Sequence, residues 1–135
     1  MNRTAPNAAD AADATSALKL ALAPIVGAEH VHDDAAVRHL FDHDLGDRGT
    51  GTVSLVVAPD SVDELAQVVA AATQAGYAIA PRGAGLSYTA GFVPTAARTV
   101  ALDMTRMNRV LAVNAQDMTV TVQAGCSWAQ LLATL

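Results

Sequence analysis

The chain has 135 residues, of which 52% are hydrophobic, and its formal net charge at pH 7 is −5. This length and composition predict one modest domain, or part of a larger one, with a buried core, and they exclude a wholly disordered chain. The acidic balance and the absence of a basic stripe exclude nucleic acid as a partner.

The N-terminal part of the chain predicts helix and loop. Residues 1–14 form an Ala- and Asp-rich stretch that we expect to be a flexible tail. Residues 15–52 follow as an N-terminal helical and loop segment. An Ala-rich helix is predicted there over residues 15–23, and Pro24 and Gly27 are expected to end it.

The pattern sharpens from residue 53 onward. Residues 53–58 are an apolar, β-branched run that predicts a strand, and residues 77–80 predict a second one. Between them lies an amphipathic helix, with Ser61 as N-cap, Glu64 at capping-box spacing and Gly76 at its end. Strand, helix and strand predict a parallel βαβ unit with a right-handed crossover.

Three more strands and one more helix complete the sequence. The strands are predicted over residues 99–103, 110–113 and 118–122, the last two as a hairpin. Ser127 and Gln130 form a second capping box, and the sequence stops on Leu135 inside that helix. We therefore expect an α/β (α+β) fold with a small mixed sheet, in which residues 53–135 are the first part of a domain that is incomplete at its C-terminus.

Residues 81–87 are the segment with the clearest functional pattern. They read Pro-Arg-Gly-Ala-Gly-Leu-Ser directly after a predicted strand. Glycine permits positive φ angles and a close approach of backbone amides to an anion, which a phosphate-binding loop requires. The segment has neither the Gly-Lys-Ser/Thr of a Walker loop nor the third glycine of a Rossmann fingerprint. An ordinary strand-exit loop is the alternative.

Four segments carry a resemblance to a known family. Residues 81–91 are similar to the pyrophosphate loop of the vanillyl-alcohol-oxidase/p-cresol-methylhydroxylase flavoproteins, particularly their glycolate-oxidase and D-lactate-dehydrogenase branches. Residues 59–65 resemble the family's Pro-x-Ser/Thr-x-x-Glu-Val segment. Residues 102–110 resemble its Leu-Asp-Leu-Ser-Arg-Met-Asn-Arg-Ile turn, and residues 119–125 its Ala-Thr-Val-Glu-Ala-Gly strand.

The resemblance implies a set of contacts with the pyrophosphate of FAD. The residues that it assigns to cofactor binding are Arg82, Gly83, Ala84, Gly85, Leu86, Ser87, Tyr88 and Gly91. Ala90 departs from the family pattern, which has a glycine there. Leu86 stands where some members have a histidine that attaches the flavin covalently, so we expect non-covalent FAD.

The resemblance also implies an activity for the full-length protein. It would be a FAD-dependent oxidoreductase that oxidises a small-molecule alcohol or 2-hydroxy acid of glycolate or D-lactate type, with oxygen, a quinone or an electron-transfer protein as electron acceptor. Catalytic residues would lie outside this chain, which alone would bind FAD weakly and be inactive. The alternatives are another reductase of the flavin superfamily, or a truncated, flavin-free module that assembles with a partner chain or a missing C-terminal region.

Other reactive side chains have simpler interpretations. Four histidines lie among aspartates in a polar stretch with a short helix predicted over residues 35–41, and His39 and His43 share a helix face. A solvated acidic surface is the expectation there, and no metal site is predicted. The single cysteine, Cys126, fits a reducing, cytoplasmic location, and no apolar run has membrane-spanning length. Trp128 is expected to be a packing residue.

Overall fold

The computed structural model describes residues 8–46 and 48–135, which form a four-stranded sheet with helices on both faces, followed by a separate hairpin and a short helix. In chain order the elements are α1 (Ala8–Val26), β1 (Val31–His32), α2 (Ala35–Leu40), β2 (Val53–Val57), α3 (Val62–Gln74), β3 (Ala78–Arg82), β4 (Thr99–Asp103), β5 (Val110–Asn114), β6 (Thr119–Val122) and α4 (Trp128–Thr134). No helix in these ranges is both long and apolar enough to cross a membrane.

The sheet is mixed, as the sequence predicts. Its strand order is β1-β2-β4-β3; β4 is parallel to both β2 and β3, and β1 is antiparallel to β2. The predicted βαβ unit is therefore present, but β4 lies between its two strands. Strand order across a sheet depends on long-range pairing, which a local pattern does not encode. The right-handed crossover stays a prediction.

β2 and β4 are buried on both faces, which explains their continuous apolar sequences, whereas the edge strand β3 is partly exposed. On one face, α1 and α3 pack against the sheet around Leu22, Leu55 and Val68, each with no exposed surface. On the other face, α2 covers a smaller cluster that contains Phe41 and Val56. The sheet and the helices packed on it thus have their own core. The loops at the two ends of the strands are not part of this core and can contact a ligand.

The N-terminal helix differs from its prediction at both ends. It begins at Ala8, so residues 8–14 of the expected tail are helical, and residues 1–7 lie outside the described range. Pro24 lies inside the helix, and Gly27, with a φ of 92°, follows its end. Because proline has no backbone N–H, the helix lacks at Pro24 the hydrogen bond that the carbonyl oxygen of Leu20 would accept.

The capping residues of α3 and α4 act as the sequence predicts, with one difference. Ser61 Oγ accepts a hydrogen bond from the amide of Glu64 at 3.1 Å. The Glu64 carboxylate, however, accepts from the amide of Asp60 at 2.8 Å rather than from that of Ser61. In α4 the capping box is complete, with the amides of Ser127 and Gln130 each bonded to the other's side chain.

Residues 108–135 form a second region with a different character. The antiparallel β5–β6 hairpin matches its prediction closely, but no residue from 108 to 135 is buried. The expectation that Trp128 packs is wrong, because 78% of its surface is exposed. Leu132 and Leu135 are also about 70% exposed. Periodicity predicts these elements correctly without identifying what covers their apolar side chains.

Candidate functional site

The glycine-rich loop begins at the carboxyl end of β3. Pro81 and Arg82, which the sequence assigned to the loop, belong to the strand and pair with Leu102 and Asp103 of β4. The loop proper starts at Gly83. In open sheets with parallel strands, ligands bind beyond the carboxyl ends of those strands, so the loop occupies the expected position for a binding site.

The backbone amides of this loop have no acceptor among residues 8–46 and 48–135. From Gly83 to Tyr88, no amide donates a hydrogen bond to another residue of the described chain. Native proteins pair nearly all of their buried amides, so a consecutive run of unpaired amides at a strand end must face solvent or a ligand. Backbone amides in such a run are the donors with which proteins hold phosphate groups.

Asp44 fixes the shape of the loop, although it lies far away in the sequence. Its Oδ2 atom accepts hydrogen bonds from Ser87 Oγ at 2.9 Å and from the amide of Ala90 at 2.7 Å. Its Oδ1 atom accepts from the amide of Gly46 at 2.7 Å. Asp44 is only 8% exposed. The expectation of a wholly solvated acidic segment is therefore wrong at this residue, because the carboxylate is turned inward to bind loop donors.

Ser87 is thus a structural anchor of the loop. Its carbonyl oxygen also accepts from the amide of Leu45 at 3.1 Å, and its Oγ accepts from the amide of Thr89 at 3.3 Å. Leu86 and Tyr88 on either side of it are 76% and 71% exposed. The hydroxyl of Ser87, a residue that the resemblance assigns to cofactor binding, donates to Asp44, whereas the neighbouring side chains project outward.

Arg82 brings a positive charge to the base of the loop. Its Nη1 atom donates to the carbonyl oxygen of Leu40 at 2.7 Å, at the end of α2. The guanidinium carbon lies 4.7 Å from the ring centre of Phe41 and 5.2 Å from that of Phe92. Among the described residues, no carboxylate lies within ion-pair distance of Arg82. The charge is therefore held by a carbonyl and two aromatic faces, next to Gly85.

Backbone conformation distinguishes three small residues of this segment. Gly85 has a φ of 81°, and a Cβ there would collide with the guanidinium group of Arg82. Ala90 has a φ of 55°, which a glycine would adopt without strain. Gly91 is different, because the nearest atoms to a Cβ built on it, Ser87 Oγ and Thr89 Oγ1, are 3.9 Å away. Nothing inside the protein requires a glycine at residue 91.

The segment after the hairpin runs close to the loop. A Cβ on Gly83 would lie 3.0 Å from the carbonyl oxygen of Ala124. Gly125 donates its amide to the carbonyl of Met107 at 2.8 Å, and a Cβ on it would collide with the carbonyl of Met104. Gly125 therefore marks a close approach of two backbones beside the loop.

The turn after β4 is held by two polar side chains that the resemblance also covers. Asp103 Oδ1 accepts from the amide of Thr105 at 3.0 Å. Arg106 donates from Nη1 to the carbonyl of Ala58 at 2.6 Å, and its Nη2 lies 3.8 Å from the carboxylate of Asp60. Arg106 therefore connects the ends of β2 and β4 at the same edge of the sheet.

The histidine cluster is a hydrogen-bonded surface network. The carboxylate of Asp42 lies 3.2 Å from Nδ1 of His39 and 2.8 Å from Nδ1 of His43. Burial raises the pKa of Asp42, but these hydrogen bonds outweigh it and hold the pKa below the ordinary value of 3.8. These three residues place their potential ligand atoms within 4.8 Å of one another. Nη2 of Arg48 lies 3.1 Å from Nε2 of His39 and can only donate, so its charge opposes a cation there.

Comparison with known proteins gives the same family at the level of sequence. Residues 53–135 match the protein family described as FAD binding domain. The chain is 29% identical over 111 residues to the glycolate oxidase subunit GlcD of Bacillus subtilis strain 168, a match that covers 82% of this chain and 23% of the relative. The chain thus spans about a quarter or less of the curated relatives it matches.

Solved structures share the fold. The structure of alkyldihydroxyacetonephosphate synthase superposes with a TM-score of 0.76 at 23% identity, covering 88% of this chain and 24% of that one. The substrate-bound structure of p-cresol methylhydroxylase superposes with a TM-score of 0.73 at 15% identity, covering 90% of this chain and 24% of that one. At these identities the structural likeness shows the fold alone.

Proposed function

The chain belongs to the family of FAD-binding domains of the p-cresol-methylhydroxylase type, whose cofactor is FAD, and from that premise we propose that its glycine-rich loop holds the FAD pyrophosphate. The observation that carries this proposal is the run of unpaired amides from Gly83 to Tyr88 at the carboxyl end of a parallel strand. A run of backbone amides without protein acceptors can donate to the oxygens of a phosphate group.

The residues of the loop fit such a group. Gly85 supplies a positive φ, and the absence of a Cβ at Gly91 lets a ligand approach the backbone there. The guanidinium group of Arg82 adds a positive charge at the base of the loop, although the protein as a whole is acidic. Asp44 fixes the loop before any ligand arrives, so less conformational entropy is lost on binding. Leu86 offers no nucleophile, which supports non-covalent binding.

We extend the proposal to the activity of the whole protein, which would be an oxidoreductase that oxidises an alcohol or a 2-hydroxy acid. Bound FAD would supply the hydride acceptor. Support for the substrate class comes from the similarity to a glycolate oxidase subunit. The part contributed by this chain is to bind and orient the cofactor. Substrate-binding and proton-transferring groups would come from other parts of the protein, and oxygen, a quinone or an electron-transfer protein would take the electrons. A cytoplasmic location is proposed from the single, free Cys126.

An absorbance spectrum of the purified full-length protein tests cofactor binding. A flavin band between the near-ultraviolet and 500 nm that acid precipitation releases into the supernatant is the expected result. A band that stays with the precipitate would contradict non-covalent binding. Anaerobic addition of glycolate or D-lactate should then bleach the band, and an unrelated sugar should leave it unchanged. A flavin that no alcohol or 2-hydroxy acid bleaches would contradict the substrate class alone.

A flavin-free module that assembles with other protein is the second candidate function. The observation that favours it is the exposed apolar surface of the hairpin and α4, which includes Leu111, Val113, Met118 and Leu132. A continuation of the chain or a partner would cover this surface. The absence of a flavin band after incubation with FAD, together with a stable complex on size-exclusion chromatography, would favour this candidate over the first.

A further inference from the structure

A cleft of about 360 Å³ lies at the opposite ends of the strands from the glycine-rich loop. Thr52 and Arg98, which directly precede β2 and β4, form one side of it, and Ser16 of α1 and Arg38 of α2 form the others. Each parallel strand has five residues and is therefore about 16 Å long. The cleft is a separate site from the cofactor loop.

The two arginines of the cleft have unused hydrogen-bonding capacity. Arg98 makes no side-chain hydrogen bond and no ion pair among the described residues; its guanidinium carbon lies over the ring of Tyr77 at 4.1 Å. Arg38 makes a single long bond, from Nη1 to the carbonyl of Val53 at 3.4 Å. In both side chains the buried Nε atom has no partner. Since a guanidinium group offers five donors, most of the donors of these two side chains have no acceptor among the described residues.

The charge of the cleft is positive despite one acidic side chain. Asp33 lies in its lining, but its Oδ1 atom accepts a hydrogen bond from Nζ of Lys19 at 2.7 Å, and Lys19 offsets most of its charge. The carboxylate also attracts Arg38, more weakly than it attracts Lys19. No carboxylate of the described chain is within ion-pair distance of the two arginines. Ser16, Thr52 and Ser54 add hydroxyl groups to the lining.

We propose that this cleft binds the phosphate group of a small phosphorylated molecule, with Arg38 and Arg98 as its charged ligands. Guanidinium groups match the geometry of phosphate oxygens, and hydroxyl groups can satisfy the oxygens that remain. One water molecule occupies about 30 Å³ in the liquid, and a phosphate group alone occupies only a few times that volume. The volume of about 360 Å³ leaves room for the organic part of a phosphate ester and falls within the range of small-molecule sites.

Calorimetric titration of the natural protein with ribose 5-phosphate at constant ionic strength tests the proposal, with ribose as the uncharged match. Saturable binding of the phosphate ester alone is expected. Arginine modification by phenylglyoxal, mapped by mass spectrometry, then locates the site. The ligand should protect Arg38 and Arg98 and leave Arg109 reactive. Protection of Arg82 alone would place the phosphate at the cofactor loop and overturn the proposal.

Substitutions give a second test of the same site. Arg98→Gln should weaken the binding of ribose 5-phosphate about tenfold or more, since it removes charged hydrogen bonds. Arg109→Gln is the matched control, because Arg109 is exposed and, among the described residues, its side chain bonds only to Gln123. If the melting curve shows that Arg98→Gln does not fold, Arg98→Lys replaces it and should weaken binding severalfold. An affinity equal to that of the natural protein in the folded variant would overturn the proposal.

Discussion

The two ends of the parallel strands carry candidate anion sites built in different ways. At the carboxyl ends, the free amides of residues 83–88 belong to one continuous loop. At the amino ends, two guanidinium groups come from α2 and from the residue before β4. A site made of backbone is encoded by a local pattern of glycines, whereas a site made of side chains is assembled by the fold. The sequence therefore predicts the site at the carboxyl ends and not the site at the amino ends.

The largest expected effect is on the loop at the carboxyl ends. Gly85→Val should weaken FAD binding by roughly a hundredfold, since a β-branched residue resists a φ of 81° and displaces amides that donate to an anion. Gly76→Val is the matched control, because Gly76 has nearly the same φ, 79°, and open space around it at the end of α3. Equal flavin content in the two variants, measured by absorbance after gel filtration, would contradict the role of the loop.

A smaller loss is expected from the residue that fixes the loop. Asp44→Asn replaces an oxygen that accepts from Ser87 and Ala90 with a group that donates, or leaves those donors unpaired. The free energy of unfolding should fall by about 2–3 kcal/mol and FAD affinity by about tenfold. Asp60→Asn serves as the control, since that carboxylate is 57% exposed. Denaturant melts and FAD titration measure both quantities, and an unchanged stability would show that Asp44 is dispensable.

Gly91→Ala separates binding from folding. A Cβ at residue 91 meets no protein atom closer than 3.9 Å, so the free energy of unfolding should change by less than about 0.5 kcal/mol. FAD affinity should still fall severalfold, because the resemblance assigns this glycine to a contact with the cofactor. If titration of the variant gives the affinity of the natural protein, the binding loop ends before residue 91.

The smallest expected effect concerns an ion pair beside the cleft at the amino ends of the parallel strands. The hydrogen bond from Lys19 holds the pKa of Asp33 below the ordinary value of 3.8. A lowered pKa stabilises the fold above that value, and this contribution disappears as the pH falls through the folded-state pKa. Because both side chains are partly exposed, we expect less than about 1 kcal/mol. The stability difference between Lys19→Met and the natural protein should therefore be present at pH 7 and vanish near pH 2; a difference that grows on acidification would contradict this pairing.

Much of the fold and part of the loop are predictable from the sequence, for identifiable reasons. Residues 53–103 contain apolar runs, caps and a βαβ pattern that local rules interpret correctly. The insertion of β4 between β2 and β3 follows from strand pairing over a long range, which those rules do not contain.

The contacts that shape the two candidate sites are the least predictable part. Asp44 and Ser87 are 43 positions apart, and an aspartate in an acidic segment resembles an ordinary surface residue until the chain is folded. Its local bond from the amide of Gly46 resembles an ordinary turn, so no local signal identifies its contact with Ser87. Arg38 and Arg98 carry no signal of that kind, because their shared cleft exists only when both elements are in place.

Hydrogen–deuterium exchange of the natural full-length protein, with and without FAD, tests the central claim most directly. The amides of residues 83–88 have no acceptor in the described chain, so they should exchange fast without FAD and be strongly protected when it is bound. The amide of Ala90, which already donates to Asp44, should change less. Full FAD occupancy without protection of residues 83–88 would contradict the assignment of the loop to the cofactor pyrophosphate.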